Sequence, residues 1–215
     1  MKTAQTGFTL VEIAIVLVIV GVLMGGILKG QELIASARLK SLAQDFRSIP
    51  LLIHSYQERF RALPGDDPAA TGHLCPSATA GCTTAGDGNG VIGGDWRDVA
   101  ASEAFLFWQH VRLAGFASGP TAPADPAYLP RNTEGGRIGV QGGGATAPLG
   151  VRGNHVICSS GIAARHVGPL DAQLDDGNPA TGAMRAGTDN GGGLSPVSGM
   201  VSADDAGSFV VCLGV

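Results

Sequence analysis

Glu12 is the only charged side chain in the apolar run from Phe8 to Leu28. A charged residue at the centre of a bilayer costs roughly 2.5–3.5 kcal/mol, so an acid retained in such a segment points to a polar partner that offsets the cost. Cysteines form a second set with chemistry of its own. Cys75, Cys82, Cys158 and Cys212 are an even number, all beyond the apolar run, as expected of a chain whose carboxyl half is oxidised outside the cytoplasm. A third set is Asp87, Asn89 and Asp95, in Asp87-Gly88-Asn89-Gly90-Val91-Ile92-Gly93-Gly94-Asp95, which offers the hard oxygens that calcium takes, with Asp98 as a further donor. The EF-hand template fails here: with Asn89 and Gly90 in its central positions, its first ligand falls on Ala85 and its last on Trp96. What remains is a loose oxygen site, set against a plain glycine-rich turn. Ser159, Ser160, His155 and His166 make no hydrolase, because no nucleophile-elbow sequence accompanies them, and the reading is of a protein that is not an enzyme.

The elements that must position these residues follow from periodicity. At about 1.5 Å per residue, Phe8 to Leu28 extends roughly 31 Å, enough to cross a hydrocarbon core of about 30 Å once. A cleavable secretory signal would be shorter and would hold no acid. Lys2 precedes the run, and Lys29, Arg38 and Lys40 follow it, so flanking charge orients the segment only weakly. Apolar residues then recur at Leu39, Leu42, Phe46, Ile49, Ile53, Tyr56 and Phe60, a single helical stripe opposite polar residues such as Gln44, Asp45, Arg47 and Glu58. Pro50 lies inside that stripe without changing its phase, which predicts a kink near Phe46–Pro50 rather than an end. Leu63-Pro64-Gly65-Asp66-Asp67-Pro68 stops the helix.

The amino-terminal residues resemble those of the type IV filament superfamily, which includes type IV pilins and type II secretion pseudopilins. The resemblance rests on a short polar leader, Met1 to Thr6, followed by Gly7, Phe8, Thr9, Leu10, Val11 and Glu12. It implies cleavage between Gly7 and Phe8 by a prepilin peptidase, N-methylation of the new terminus at Phe8, and a role for Glu12 in attracting the amino terminus of a neighbouring subunit during assembly. It implies partners: that peptidase and methyltransferase, other copies or related pilins in a filament, and an inner-membrane assembly platform. It also implies a place, a single pass through the inner membrane with the carboxyl-terminal head in the periplasm, and then a periplasmic or extracellular filament. The expected function is that of a structural subunit of a type IV pilus or type II secretion pseudopilus. The alternative is a minor or tip pilin-like subunit, or a membrane-anchored adhesive or binding module. One departure from the family is the absence of a proline near the end of the apolar stretch, where Gly25, Gly26, Lys29 and Gly30 stand instead and are expected to supply local melting or bending.

Composition bounds the remainder. A net charge of −4 gives no reason to expect nucleic acid as a partner. Most of the 34 glycines and 12 prolines lie beyond residue 63, which predicts a loop-rich head. The expected division is a leader over 1–7, a transmembrane and assembly helix over 8–28, its continuation over 29–62, and a disulfide-stapled head over 63–215. The fold class is α+β: a long amino-terminal helix packed on a small antiparallel sheet with short extra helices. One of these is expected over Val99–Ala114, capped by Asp98 and Gly115, with Phe105, Phe107 and Trp108 facing the core. Residues 117–150 read as surface loop with one short strand at Arg137–Gln141. Two β-branched segments, Asn154–Cys158 and Ser208–Cys212, both end in cysteine. Four cysteines allow three connectivities; the one favoured is Cys158 with Cys212 across neighbouring strands and Cys75 with Cys82 as a local staple. The Cys75–Cys82 gap, even with His73 nearby, does not fit the short spacing of structural zinc sites. Leu170–Arg185 reads as a short helix and a turn, in which Asp175 or Asp176 caps backbone groups and pairs with Arg185, a metal site being the lesser reading.

Overall fold

The computed structural model describes residues 9–75, 82–191 and 193–215. Helix α1 (Leu10–Phe60) contributes to two compact units, one ending at Arg38 and one comprising Leu39–Val215. It stays helical through Gly25, Gly26 and Gly30, so of the melting or bending expected there the melting does not occur, and it stays helical through Pro50. In an α-helix the glycines cost only propensity, about 1 kcal/mol each relative to alanine, and they do not by themselves end it.

The second unit is built on five antiparallel strands in the order β1-β2-β5-β3-β4: β1 (Ile138–Gly142), β2 (His155–Ala163), β3 (Met184–Asp189), β4 (Leu194–Pro196) and β5 (Ser208–Gly214). Alternation along β2 and β5 sorts their side chains between two faces. Ile157, Ile162, Phe209 and Val211 join the main core with Leu42, Phe46, Ile49 and Ile53 of α1. Val156, Cys158, Val210 and Cys212 face the other way, under Trp96, Leu149 and Val151. A bulge between Ser159 and Ile162 interrupts the register, and Gly161 takes the positive φ of 72° there.

Among the described residues the unit also holds three short α-helices, α2 (Ala70–Leu74), α3 (Glu103–Leu113) and α4 (Ala164–Leu174), and a 3-10 turn at Pro148–Gly150. Helix α3 starts four residues later than the sequence suggests. Ser102, not Asp98, is its cap, accepting the Phe105 N–H at 3.2 Å, while Asp98 accepts the N–H of Asp95. At its other end Gly115 donates to Arg112 O and Phe116 to Val111 O, both at 2.9 Å, the paired bonds of a Schellman motif, with Gly115 at φ +80°. Phe105, Phe107 and Trp108 are buried, Phe107 completely. Residues 117–150 are more than surface loop. Tyr128 is 1% exposed, donates to Phe105 O at 2.8 Å, and accepts the Gln109 N–H at 3.1 Å, pinning the segment to α3. One aromatic anchor among prolines and glycines leaves no periodicity to detect.

Candidate functional site: the amino-terminal helix and the acidic loops

Helix α1 opens on a reciprocal cap. The backbone N–H of Thr9 donates to Glu12 Oε2 at 2.9 Å, its hydroxyl donates to the same oxygen at 2.7 Å, and the Glu12 N–H donates back to Thr9 Oγ1 at 3.3 Å. This is a capping box, Thr-x-x-Glu, in which two N–H groups that lack helical partners are satisfied by side chains. The carboxylate also sits where the helix dipole is positive. Reading Glu12 only as an acid awaiting another chain missed this local role, although the Thr9-x-x-Glu12 spacing ahead of an apolar run was a visible signal. Both Thr9 bonds fall on Oε2, so Oε1 takes no hydrogen bond from the described residues. Gly7 and Phe8, the cleavage and methylation positions, lie outside the described residues.

Past the cap, the first part of α1, from Leu10 to Leu28, is apolar all round and exposed throughout. Leu10, Leu17, Val22 and Leu28 are all more than 60% exposed, and it is the one helix among the described residues long and apolar enough to cross a membrane. A continuous apolar surface of that size needs lipid or other helices around it. Added methyl groups at Gly21, Gly25, Gly26 or Gly30 would meet no neighbouring atom within 4 Å, so no contact among the described residues requires these glycines.

Where α1 enters the second unit its stripe is buried as expected, and Tyr56 ends it at a polar node. Tyr56 Oη donates to Asp67 Oδ2 at 2.8 Å, His73 Nδ1 meets the same oxygen at 2.7 Å, and the Ala69 N–H donates to Oδ1 at 2.9 Å. Desolvation pushes the fully buried Asp67 carboxyl upward, but the bonds from His73 and Tyr56 outweigh it and hold the group below its ordinary range. The Tyr56 phenol is driven well above its own range by burial and by that carboxylate. Nearby, His110 accepts the Gly65 N–H at Nδ1, and its Nε2 lies 2.9 Å from Thr84 O; burial lowers its pKa, so the neutral ring is favoured. These groups fasten the end of α1 to the following loops. The other polar residues singled out are dispersed: Ser159 bonds Asn132, Ser160 bonds Arg137, and His166 bonds Glu134, with no serine–histidine hydrogen bond among the described residues.

The loop that carries Asp87 and Asn89 is organised around a different residue, Asp66. The N–H groups of Gly88, Asn89 and Gly90 all donate to the Asp66 carboxylate, at 2.7, 3.0 and 2.8 Å. Successive backbone donors converging on one point form an anion cradle, and the anion is the protein's own Asp66. Asp87 and Asn89 are brought together, Asn89 Nδ2 donating to Asp87 Oδ2 at 2.9 Å. Asp95 is not with them; it receives two bonds from the Arg97 guanidinium, each at 3.0 Å. Asp66 and Glu103 are the partners of Asp87 that the sequence left unnamed.

Disulfides join Cys75 to Cys82 and Cys158 to Cys212, the latter two being direct partners across β2 and β5. Arg185 does not pair with Asp175 or Asp176; its Nη1 reaches Leu149 O at 3.5 Å, because alternation along β3 sends it to the sheet face of Leu149.

Comparison with known proteins adds one finding. Residues 2–28 match the prokaryotic N-terminal methylation motif, the signature of type IV prepilin-like proteins, which supports a pilin-like or pseudopilin-like protein. No curated protein and no solved structure matches the chain.

Proposed function

We propose that this chain is a structural subunit of a type IV pilus or a type II secretion pseudopilus, made as a precursor, cut between Gly7 and Phe8, N-methylated at Phe8, and assembled through packing of α1. The observation that carries the reading is the exposed apolar surface of α1 with its single acid, lying within the methylation motif. Prepilin-like structural subunits are non-enzymatic, and the role assigned here is likewise one of assembly.

The mechanism follows from electrostatics. Before cleavage the Phe8 nitrogen is part of a neutral amide and offers no charge to a carboxylate. Removal of the leader creates an amine at Phe8 that keeps its positive charge when N-methylated. In an apolar surrounding, opposite charges attract far more strongly than in water, and Oε1 of Glu12, which takes no hydrogen bond from the described residues, can accept the Phe8 amine of a neighbouring copy while Oε2 keeps its bonds to Thr9. The apolar faces of adjacent helices then replace lipid, and Gly21, Gly25 and Gly26 allow close backbone approach. Repetition of one such heterologous contact builds an open filament. The precursor is held by one pass through the inner membrane with the head in the periplasm, and it is handed to an assembly platform.

Formaldehyde crosslinking in intact cells that carry a filament assembly system tests the proposal. A ladder of crosslinked multimers containing the chain is expected. A monomer band alone, at wild-type expression, overturns the reading in favour of a membrane-anchored binding module.

A further inference from the structure

Two groups of carboxylates converge among the described residues, and they differ in one respect. In Asp66, Asp87 and Glu103 every carboxylate oxygen already has a donor: Gly88, Asn89 and Gly90 for Asp66, Asn89 for both oxygens of Asp87, and the N–H groups of Asp87 and Gly93 for Glu103. That cluster is a completed turn.

The second group, Asp171, Asp175 and Asp176, is not complete. Asp171 is fully buried; its Oδ1 accepts the Gly177 N–H at 2.6 Å, and its Oδ2 has no hydrogen-bond partner. A buried oxygen without a donor costs about 1–3 kcal/mol, more if charged, and calls for an explanation. The group stands where α4 ends, Asp175 being the residue after its last turn, so three acids meet the negative end of the helix dipole, the position that favours cations. No salt bridge among the described residues involves any of the three. Arg47 donates to the Gln173 carbonyl at 3.0 Å but pairs with none of them.

We propose that Asp171, Asp175 and Asp176 bind a calcium ion at the carboxyl end of α4. One oxygen of each carboxylate lies within 4.8 Å of those of the other two, the separation allowed to ligands that share an ion at about 2.4 Å. Carboxylates on an irregular turn suit calcium, which takes six to eight oxygens in flexible geometry, better than magnesium, which demands an octahedron. The surrounding turn holds the ligands in place: Met184 N–H donates to Asp175 Oδ2 at 2.9 Å, and Asn178 N–H and Thr181 Oγ1 each donate to Asp176 at 2.8 Å. Gly182, at φ +73°, closes against the site, where a Cβ would collide with Asp175 Oδ2. Because β3 begins at Met184, the ion ties the end of α4 to the strand that follows.

The rival occupant is a proton. Burial, then the charges of Asp176 and Asp175 and a side-chain hydrogen bond with Asp176, push Asp171 up to about 6, against the pull of the Gly177 N–H, so a proton shared between Asp171 and Asp176 is the alternative means of relieving the cluster.

Thermal unfolding of the full chain in detergent at neutral pH, stripped with EDTA and followed by fluorescence of Trp96 and Trp108, separates the two. With calcium chloride as the only addition, the midpoint is expected to rise saturably, by roughly 5–10 °C at about 100 times the dissociation constant. Magnesium should produce a smaller rise. Asp171→Asn should fold, match or exceed the wild-type midpoint in EDTA, and lose the calcium response. Asp176→Asn, at an exposed position, should lose it too. Asp87→Asn should keep it. A wild-type midpoint that ignores calcium up to about 10 mM, above the weakest extracellular calcium sites, overturns the proposal in favour of the proton. A response lost in Asp87→Asn but kept in Asp171→Asn overturns it as well, by placing the ion in the first cluster.

Discussion

Replacing Glu12 with alanine is expected to reduce crosslinked multimers at least tenfold while leaving the amount of membrane-inserted chain unchanged. Two energies enter, and they are separable. Loss of the capping box costs about 0.5–2 kcal/mol of helix stability. Loss of the intersubunit pair leaves the neighbour's amine buried without a counter-charge, at about 3–5 kcal/mol per contact. Thr9→Ala removes the hydroxyl from the cap and leaves the carboxylate in place, so it isolates the smaller effect and should retain most multimers. Glu12→Gln keeps hydrogen-bonding capacity without the charge and should resemble Glu12→Ala in assembly. Equal multimer yields from Glu12→Ala and wild type would remove the pair from the mechanism; equal defects in Thr9→Ala and Glu12→Ala would assign the residue to the helix cap alone.

Removing the Cys158–Cys212 bridge as a double alanine variant is expected to destabilise the head by about 4 kcal/mol in the chain-entropy account of a loop with sequence separation 54. Both cysteines are fully buried, and they tie the central strands β2 and β5, so the lost packing adds to the effect. The Cys75–Cys82 bridge closes a loop of separation 7, and its removal should cost about 2.5 kcal/mol on the same account. Urea unfolding of the detergent-solubilised chain, followed by tryptophan fluorescence, measures both. The order of the two costs is the informative result: a central bridge worth less than the local one would mean that the unfolded chain already holds β2 and β5 together.

The parts of this molecule legible in the sequence are those where one physical demand dominates. Burial on one side of α1 imposed a regular spacing from Leu42 to Tyr56, and β-branched runs marked β2 and β5. Strand β3 carries Arg185, Gly187 and Asp189 and has no such run; it is a strand because β5 offers it a partner. Helix α4 begins at Ala164, ahead of Gly168 and Pro169, which read locally as breakers, and its packing against the sheet outweighs their propensity. The acidic loops were the least legible. Asp87 and Asn89 were visible as oxygen donors, but the direction of the neighbouring N–H groups toward Asp66, more than twenty residues earlier, is a tertiary fact. Glu12 lay between these cases: its isolation was evident, and its bonds to Thr9 were encoded in a four-residue pattern.

The central claim is that processing at Gly7 creates the charge that Glu12 meets, and the mature amino terminus tests it most directly. Intact-mass analysis with amino-terminal sequencing of the chain from cells with an active prepilin peptidase should find a protein that begins at Phe8 and carries one added methyl group. A chain that still begins at Met1 in those cells, or one cut beyond Leu28 in the manner of a secretory signal, would contradict the account.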